Sequence, residues 1–235
     1  MRLDKFLANA NLGTRNHVKT LIRGGHVCVD GEINKHAEYN LKPDAEIVTV
    51  DEAVVEYHEE IFLLLNKPEG YICSAIDELY PSVLNVIDSQ YVKRVKMVGR
   101  LDVDTTGVLL LTDQGKINNS LIHPKLKIEK EYEVVLNHDI PESIVPSMTE
   151  EIDIGENETV KPKAVNLIKP NTCRIIITEG KYHEVKRIFK HFNLEVVKLE
   201  RIRLAFLTTD GLAKGESRLL TQEEIEKIKA ITNSK

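Results

Sequence analysis

The sequence predicts an α+β chain of two domains, and three observations lead there. Helix-period and strand-period apolar patterns alternate within the first 50 residues. A stretch holding Asp51, Glu52, Glu56, Glu59 and Glu60, with no Lys or Arg, comes next. From Ile61 onward, apolar strand-like runs are separated by short amphipathic helices. At 235 residues the chain has room for one large domain or two smaller ones. The expected division is a first domain over 1–50, an acidic linker over 51–60 and a second domain over 61–235.

Composition narrows the function classes. With 42% apolar and 29% charged residues the chain reads as soluble and globular. No apolar run approaches the ~18 residues of a membrane span. The start carries Arg2, Asp4 and Lys5 and no apolar core of an export signal, so a cytoplasmic location is expected. Cys28, Cys73 and Cys173 are far apart, odd in number and outside any zinc spacing. No His-x-x-x-His pair exists, and no phosphate-cradling or dinucleotide glycine motif, so neither a metal nor a cofactor is expected. A net charge of −5 by itself argues against nucleic acid, but the charge is unevenly placed. Residues 1–29 carry Arg2, Lys5, Arg15, Lys19 and Arg23 against Asp4 alone, and residues 181–203 carry seven Lys or Arg against three Glu. Residues 137–160 hold seven acids and no Lys or Arg. Basic faces on an acidic chain still mark a phosphate-binding surface.

The first domain is read element by element. Leu3, Phe6, Leu7 and Ala10 predict a helix over 2–11, broken at Asn11-Leu12-Gly13. Thr14 caps a second helix with Val18, Leu21 and Ile22 on its apolar face, ended by Gly24. His26 to Val29 alternates as a strand, Asp30-Gly31 signals a type I′ turn, and Glu32-Ile33 returns. A turn at Pro43-Asp44 precedes a strand over Ile47 to Val50. Arg15, Lys19 and Arg23 recur at i, i+4, i+8. Helical spacing alone fits a solvated face equally well, and the lack of acidic i+4 partners favours phosphate. Leu3-Asp4-Lys5-Phe6-Leu7, Thr14-Arg15 and Ile22-Arg23-Gly24-Gly25-His26-Val27-Cys28-Val29-Asp30-Gly31 together resemble the S4 domain. The resemblance implies an αL-shaped RNA-binding module over residues 1–50, with Arg2, Lys5, Arg15, Lys19 and Arg23 toward RNA.

The second domain opens with a buried strand, Ile61 to Leu65, and a turn through Asn66-Lys67-Pro68-Glu69-Gly70. Lys67 is a phosphate contact or a turn residue, and spacing does not choose. A short helix follows around Val83, Leu84 and Ile87. Then comes the chain's most distinctive stretch, Val98 to Thr112: a polar loop bracketed by Gly99 and Gly107 that runs into Val108-Leu109-Leu110-Leu111, a strand buried on both faces. The loop carries Arg100, Asp102, Asp104, Thr105 and Thr106, and a rigid strand behind a polar loop is a common way to aim reactive groups. A short helix runs to Ile122, stopped by Pro124. Glu129 to Leu136 alternates, with Tyr132, Val134 and Leu136 on one face. The acidic segment 137–160 is expected as a surface hairpin or helix away from RNA. Arg174 to Thr178 and Val196 to Leu204 read as strands, and Val185, Ile188, Phe189 and Phe192 as the apolar face of a helix between them. Thr221 and Glu224 form a capping box for a last helix.

Five ordered pieces of this domain resemble the RsuA-type pseudouridine synthases: Leu65-Asn66-Lys67-Pro68-x-Gly70; Gly99-Arg100-Leu101-Asp102-x-Asp104-Thr105-x-Gly107-x-Leu109-Leu110-Leu111-Thr112; Lys130-x-Tyr132-x-Val134; Glu179-Gly180-Lys181-Tyr182-His183-x-Val185-Lys186-Arg187; and Leu199-x-Arg201-x-Arg203-Leu204. The resemblance implies a catalytic domain over 61–235 with a mixed, mostly antiparallel central sheet. It also implies a cofactor-free isomerisation in which uracil leaves its ribose at N1, rotates and rejoins through C5. By the same resemblance Asp102 is the catalytic carboxylate, as nucleophile or base. Tyr132 stacks on the extruded uracil, its hydroxyl placed to move the C5 proton. Lys186 pairs with Asp102. Leu204 packs against the base, and Arg100, Lys67, His183 and Arg187 contact substrate. Relatives often carry Gln where this chain has Glu184, whose side chain is expected to face solvent or a neighbouring Lys. The implied partner of this monomer is ribosomal RNA or a small-subunit assembly intermediate. Lys186-Arg187 resembles the small-subunit branch. A large-subunit target and a non-catalytic ribosome-assembly factor are the alternatives.

Overall fold

The structure is a computed structural model that describes residues 1–43 and 45–233. Chain contacts divide it into two compact units, Met1–Glu60 with Ser89–Lys93, and Ile61–Asp88 with Arg94 onward.

In the first unit, α1 (Leu3–Asn9) and α2 (Arg15–Gly24) pack on a small antiparallel sheet. Thr14 caps α2 by accepting from the His17 amide, and Gly25 ends it in the left-handed region. β1 (Val27–Val29) and β2 (Glu32–Ile33) are joined by Asp30 and Gly31, both at positive φ, as a type I′ turn requires. β3 (Val48–Val50) pairs with β1, and β4 (Ala53–Val54) extends the sheet on the far side of β3. The reading of 51–60 as a linker is therefore corrected at its start. Asp51 and Glu52 turn the chain at positive φ and Ala53-Val54 returns as an edge strand. Acidic composition marked the solvent exposure of that hairpin, not an absence of structure. Asp44, half of the expected turn at Pro43-Asp44, lies outside the described residues. Leu3, Phe6, Leu7, Val18, Ile22, Val27 and Leu41 make the core. The short helix α3 (Ser89–Val92) is counted with this unit.

The second unit is built on nine strands: β5 (Phe62–Lys67), β6 (Lys96–Met97), β7 (Thr105–Thr112), β8 (Lys130–Leu136), then, after the separate hairpin β9 (Ile152–Asp153) and β10 (Thr159–Val160), β11 (Ala164–Lys169), β12 (Thr172–Ile177), β13 (Val196–Leu204), β14 (Leu207–Thr208) and β15 (Ser217–Leu219). The order is β11-β12-β8-β13-β7-β5-β15, with β6 on β7 and β14 on β13. Only β7 and β13 run parallel, so the sheet is mixed and mostly antiparallel. Helices α4 (Gly115–Ile122) and α6 (Gln222–Asn233) cover one face, where Leu121 and Ile228 meet Phe62, Leu64, Val108 and Leu110. α5 (Glu184–His191) runs between β12 and β13 in sequence. The second face is closed as well, since Leu63, Leu65, Leu109 and Leu111 are all buried, which explains why the β5 and β7 sequences are continuous apolar runs.

The parallel contact decides Gly107. It lies at φ +102 opposite Arg201, and a Cβ there would come within 2.2 Å of the Arg201 carbonyl oxygen. Only glycine lets β13 approach β7 at the point where the polar loop enters the sheet.

Candidate active site

The loop between Gly99 and β7 is held from within the protein. The Lys67 ammonium is fully buried and donates to the carbonyls of Pro68 (3.1 Å), Asp102 (3.0 Å) and Thr105 (2.8 Å). The Gly70 amide donates to the Val103 carbonyl at 2.8 Å, and the Thr105 amide to the Asp102 carbonyl at 3.1 Å. Burial pushes the Lys67 ammonium below its ordinary pKa, with the Cys73 side chain and the carboxylates of Asp104, Asp102 and Glu69 opposing the shift. This corrects the expectation for Lys67. It is the last residue of β5 and not part of a turn, and its charge is consumed by loop carbonyls where no phosphate reaches it.

The carboxylates of the same loop face outward. Lys186, in the first turn of α5, places its Nζ 3.2 Å from Asp102 Oδ2 and 2.6 Å from Asp104 Oδ1. Burial alone would lower the Lys186 pKa. The hydrogen bonds and charges of Asp104 and Asp102 outweigh it and raise it, so this lysine stays protonated. Its tighter bond is to Asp104, so one ammonium ties both acids together. His183 Nε2 stands 3.4 Å from Asp102 Oδ1. Asp102 is about a third exposed, and so stays reachable from the cavity.

These groups rim a cavity of about 280 Å³, at the small end of the ligand-site range, which suits one base with its sugar. Arg100, Asp102, Tyr132, His183, Lys186 and Leu204 all line it. Tyr132, in the middle of β8, is buried and pairs across strands with Arg201 of β13. Burial raises its pKa, only partly countered by the charge and hydrogen bond of the Arg201 guanidinium, so it presents a neutral phenol ring. Leu204 ends β13 on the same cavity wall.

The expectations for Arg187 and Glu184 are revised here. Arg187 points away from this cavity: it donates to the carbonyls of Ile154 (2.9 Å) and Gly155 (2.8 Å) and pairs with Glu158 at 2.6 Å, so it fastens the β9–β10 hairpin. The acidic segment, expected as a surface hairpin or helix away from RNA, forms the β9–β10 hairpin, whose Gly155 and Glu156 share a second cavity with His183. Glu184, expected to face solvent or a neighbouring Lys, is buried away from solvent, and its carboxylate accepts from the backbone amide of the neighbouring Lys181 at 2.8 Å. Burial raises its pKa. The side chain of residue 184 points inward because Glu184 opens α5 and its carboxylate folds back onto the Lys181 amide in the preceding turn.

Sequence reasoning missed Arg201 and Lys130 as site residues. Arg201 is almost fully buried, its Nε donating to the Val108 carbonyl at 2.7 Å, while its Nη2 has no hydrogen-bond partner among the described residues. Lys130 lines the cavity and donates to the carbonyls of Ile128 and Glu179. Burial, with help from the Arg201 charge, lowers its pKa to about 8. Both stood inside the matched pieces, but nothing in a strand pattern says that an arginine is buried. Among the described residues no cluster of His, Cys, Asp or Glu is arranged to hold a metal, and no helix is long and apolar enough to cross a membrane. In the first unit Asp4 is buried, with Arg2 at 3.0 Å and Lys19 at 3.9 Å, so the basic surface there is partly neutralised from beneath. Lys5, Arg15 and Arg23 stay exposed.

Known proteins resemble this chain. Residues 61–191 match the family described as RNA pseudouridylate synthase, and residues 1–47 match the S4 domain. The ribosomal small subunit pseudouridine synthase A of Escherichia coli is 36% identical over 97% of this chain and 100% of its own length. An uncharacterized RNA pseudouridine synthase of Aquifex aeolicus is 40% identical over 98% of this chain and 97% of its own. A crystal structure of a pseudouridylate synthase superposes with a TM-score of 0.69 at 34% identity, over 97% of this chain and 99% of that one.

Proposed function

The chain belongs to the RNA pseudouridylate synthase family, and on that premise we propose that it isomerises one uridine of small-subunit (16S) ribosomal RNA to pseudouridine, with Asp102 as its catalytic carboxylate. The observation that supports the site assignment most is the placement of Asp102: backbone clamped from below by Lys67, carboxylate held by Lys186 at 3.2 Å, and the Tyr132 ring and Leu204 on the walls of the same cavity. Uridine and pseudouridine are isomers, so no group is added or lost overall and no cofactor is called for. The N1–ribose bond breaks, the uracil turns, the C5–ribose bond forms, the C5 proton leaves and N1 takes up a proton, so the atoms balance.

A base cannot be reached inside a duplex, so the uridine enters flipped out. Tyr132 and Leu204 pack against it, replacing part of the stacking it lost. Asp102 acts at the ribose, as nucleophile or as base, with Lys186 paired to it at 3.2 Å and aiming it. The raised pKa of Tyr132 makes it a neutral phenol at rest. Its ring is therefore what it offers first, and taking the C5 proton requires its own proton to move on. The exposed cations Lys5, Arg15 and Arg23 of the S4 unit supply phosphate contacts elsewhere on the RNA.

The test is to incubate the protein with small-subunit and large-subunit rRNA transcripts and with partly assembled subunits, and to map pseudouridine by carbodiimide-dependent primer-extension stops. A new stop in small-subunit RNA, lost in Asp102→Ala, is the expected result. A stop confined to large-subunit RNA overturns the target, and no stop on any RNA overturns the activity. A stop that survives Asp102→Ala overturns the role of Asp102.

A further inference from the structure

We propose that Tyr182 is a stacking platform for the nucleotide next to the target uridine, a positioning residue that the reaction chemistry itself does not require. The proposal rests on the reading of the chain as an RNA-modifying enzyme and deepens it.

Tyr182 is 68% exposed, yet its ring is not loose. It lies on the His183 ring with centroids 3.8 Å apart and planes 20° from parallel. Consecutive residues rarely stack, and here the backbone is bent to allow it: His183 sits at φ +49, in the left-handed region that a non-glycine residue enters at a cost. The turn carrying both rings is pinned on every side. The Glu184 carboxylate accepts from the Lys181 amide, the Lys181 ammonium donates to the Thr159 carbonyl at 2.6 Å, and Arg187 donates to the Tyr182 carbonyl at 3.1 Å. Glu184 is buried and Arg187 mostly so, which gives both residues a shared purpose that neither has at the carboxylate itself. What this rigid turn delivers is one aromatic face covered by His183 and one facing solvent.

Its location selects the occupant. His183 is 3.4 Å from Asp102, so the covered face of Tyr182 is one stacking step from the ribose of the flipped uridine. A neighbouring nucleotide in a single strand lies about that far along the chain, and every base offers a π-face to an exposed ring. Tyr182 also borders the second cavity, of about 460 Å³, with Lys190 and His191 on its wall. The acids there are engaged: Asp153 accepts from the Gly155 amide at 2.8 Å and Glu156 lies 3.7 Å from Arg187. Among the described residues no ion pair or hydrogen bond engages the Lys190 ammonium, which leaves it for the phosphate of the stacked nucleotide.

The experiment uses the full chain and an RNA fragment containing the mapped uridine, with steady-state kinetics of pseudouridine formation. Tyr182→Ala raises KM about tenfold, in the range of one lost base–aromatic stack, with a smaller change in kcat. Tyr182→Phe, which keeps the ring, restores the wild-type KM. Making one nucleotide beside the uridine abasic raises the wild-type KM by a similar factor and adds nothing in Tyr182→Ala. An unchanged KM in Tyr182→Ala, or abasic penalties equal in both proteins, overturns the proposal. A fall confined to kcat shows that Tyr182 only props His183, which also overturns it. If the wild-type protein modifies no RNA at all, the failure lies with the underlying function and not with the platform.

Discussion

Two lysines hold the Asp102 loop, and they do opposite things with the same charge. Lys67 grips its backbone, fully buried, with an ammonium surrounded by carbonyls and a pKa driven down by burial. Lys186 grips its carboxylates from the cavity, a quarter exposed, with a pKa raised by Asp104 and Asp102. One sets where the loop is, and the other sets the field at its tip. On the proposed reading, with Asp102 as the reactive carboxylate, the loop needs both, and a single residue cannot supply both, because burial deep enough to brace backbone removes the ammonium from the cavity.

The strongest way to break this contrast is Lys67→Met, which keeps much of the volume and removes the donor. Buried carbonyls lose their partner, so the expected loss of stability is about 3–5 kcal/mol, read from the denaturant midpoint. Activity then falls together with folded population. A Lys67→Met protein of wild-type stability would mean that the loop is held by Gly70 and Thr105 alone. Lys186→Met is the counterpart. It leaves the fold intact, costing under about 1 kcal/mol as a partly exposed pair. Its kcat falls about 100- to 1,000-fold, the usual scale for removing one electrostatic contact from a site. If Lys186→Met instead lowered the midpoint as Lys67→Met does, the two lysines would share one structural role.

The same contrast explains what the sequence could and could not tell. Features set by neighbours in the chain were legible: the Thr14 cap, the Asp30-Gly31 turn and the Thr221–Glu224 capping box all form as read. Val108 to Leu111 read as doubly buried because four apolar residues in a row leave no polar face. Ser217–Leu219 was not seen as a strand, since three residues carry no period and their partner, β5, lies about 150 residues earlier. Lys67 and Arg201 are buried cations, and burial of a cation depends on which distant carbonyls close over it, while buried Glu184 depends on the turn that brings the Lys181 amide to it. Lys67 and Lys186 therefore looked alike, although both stood in the matched pieces. Arg187 looked like a site residue because it adjoins Lys186, but one helical step of ~100° turns it to the β9–β10 hairpin.

The smallest expected effect serves as the control for a charge pair remote from the cavity. Arg218 donates to both oxygens of Glu224 at 2.7 and 2.8 Å, and the Thr221 amide donates to the same carboxylate. The Arg218 hydrogen bond leads the causes that bring the Glu224 pKa to about 2 from an ordinary 4.5, against the opposing effect of burial. A folded pKa below the unfolded one means that stability is fully present above about pH 4.5 and is lost as the pH falls toward 2. With both side chains partly in water, Glu224→Gln costs about 1 kcal/mol at neutral pH, a capping-scale effect. That difference from wild type shrinks toward zero by pH 2, where the wild-type carboxyl also takes up its proton. Turnover at neutral pH stays within about twofold, because α6 contributes nothing to the cavity around Asp102. A marked loss of kcat in Glu224→Gln would show that α6 is coupled to the loop through β15 and β5, and would place Lys67, at the end of β5, on the route.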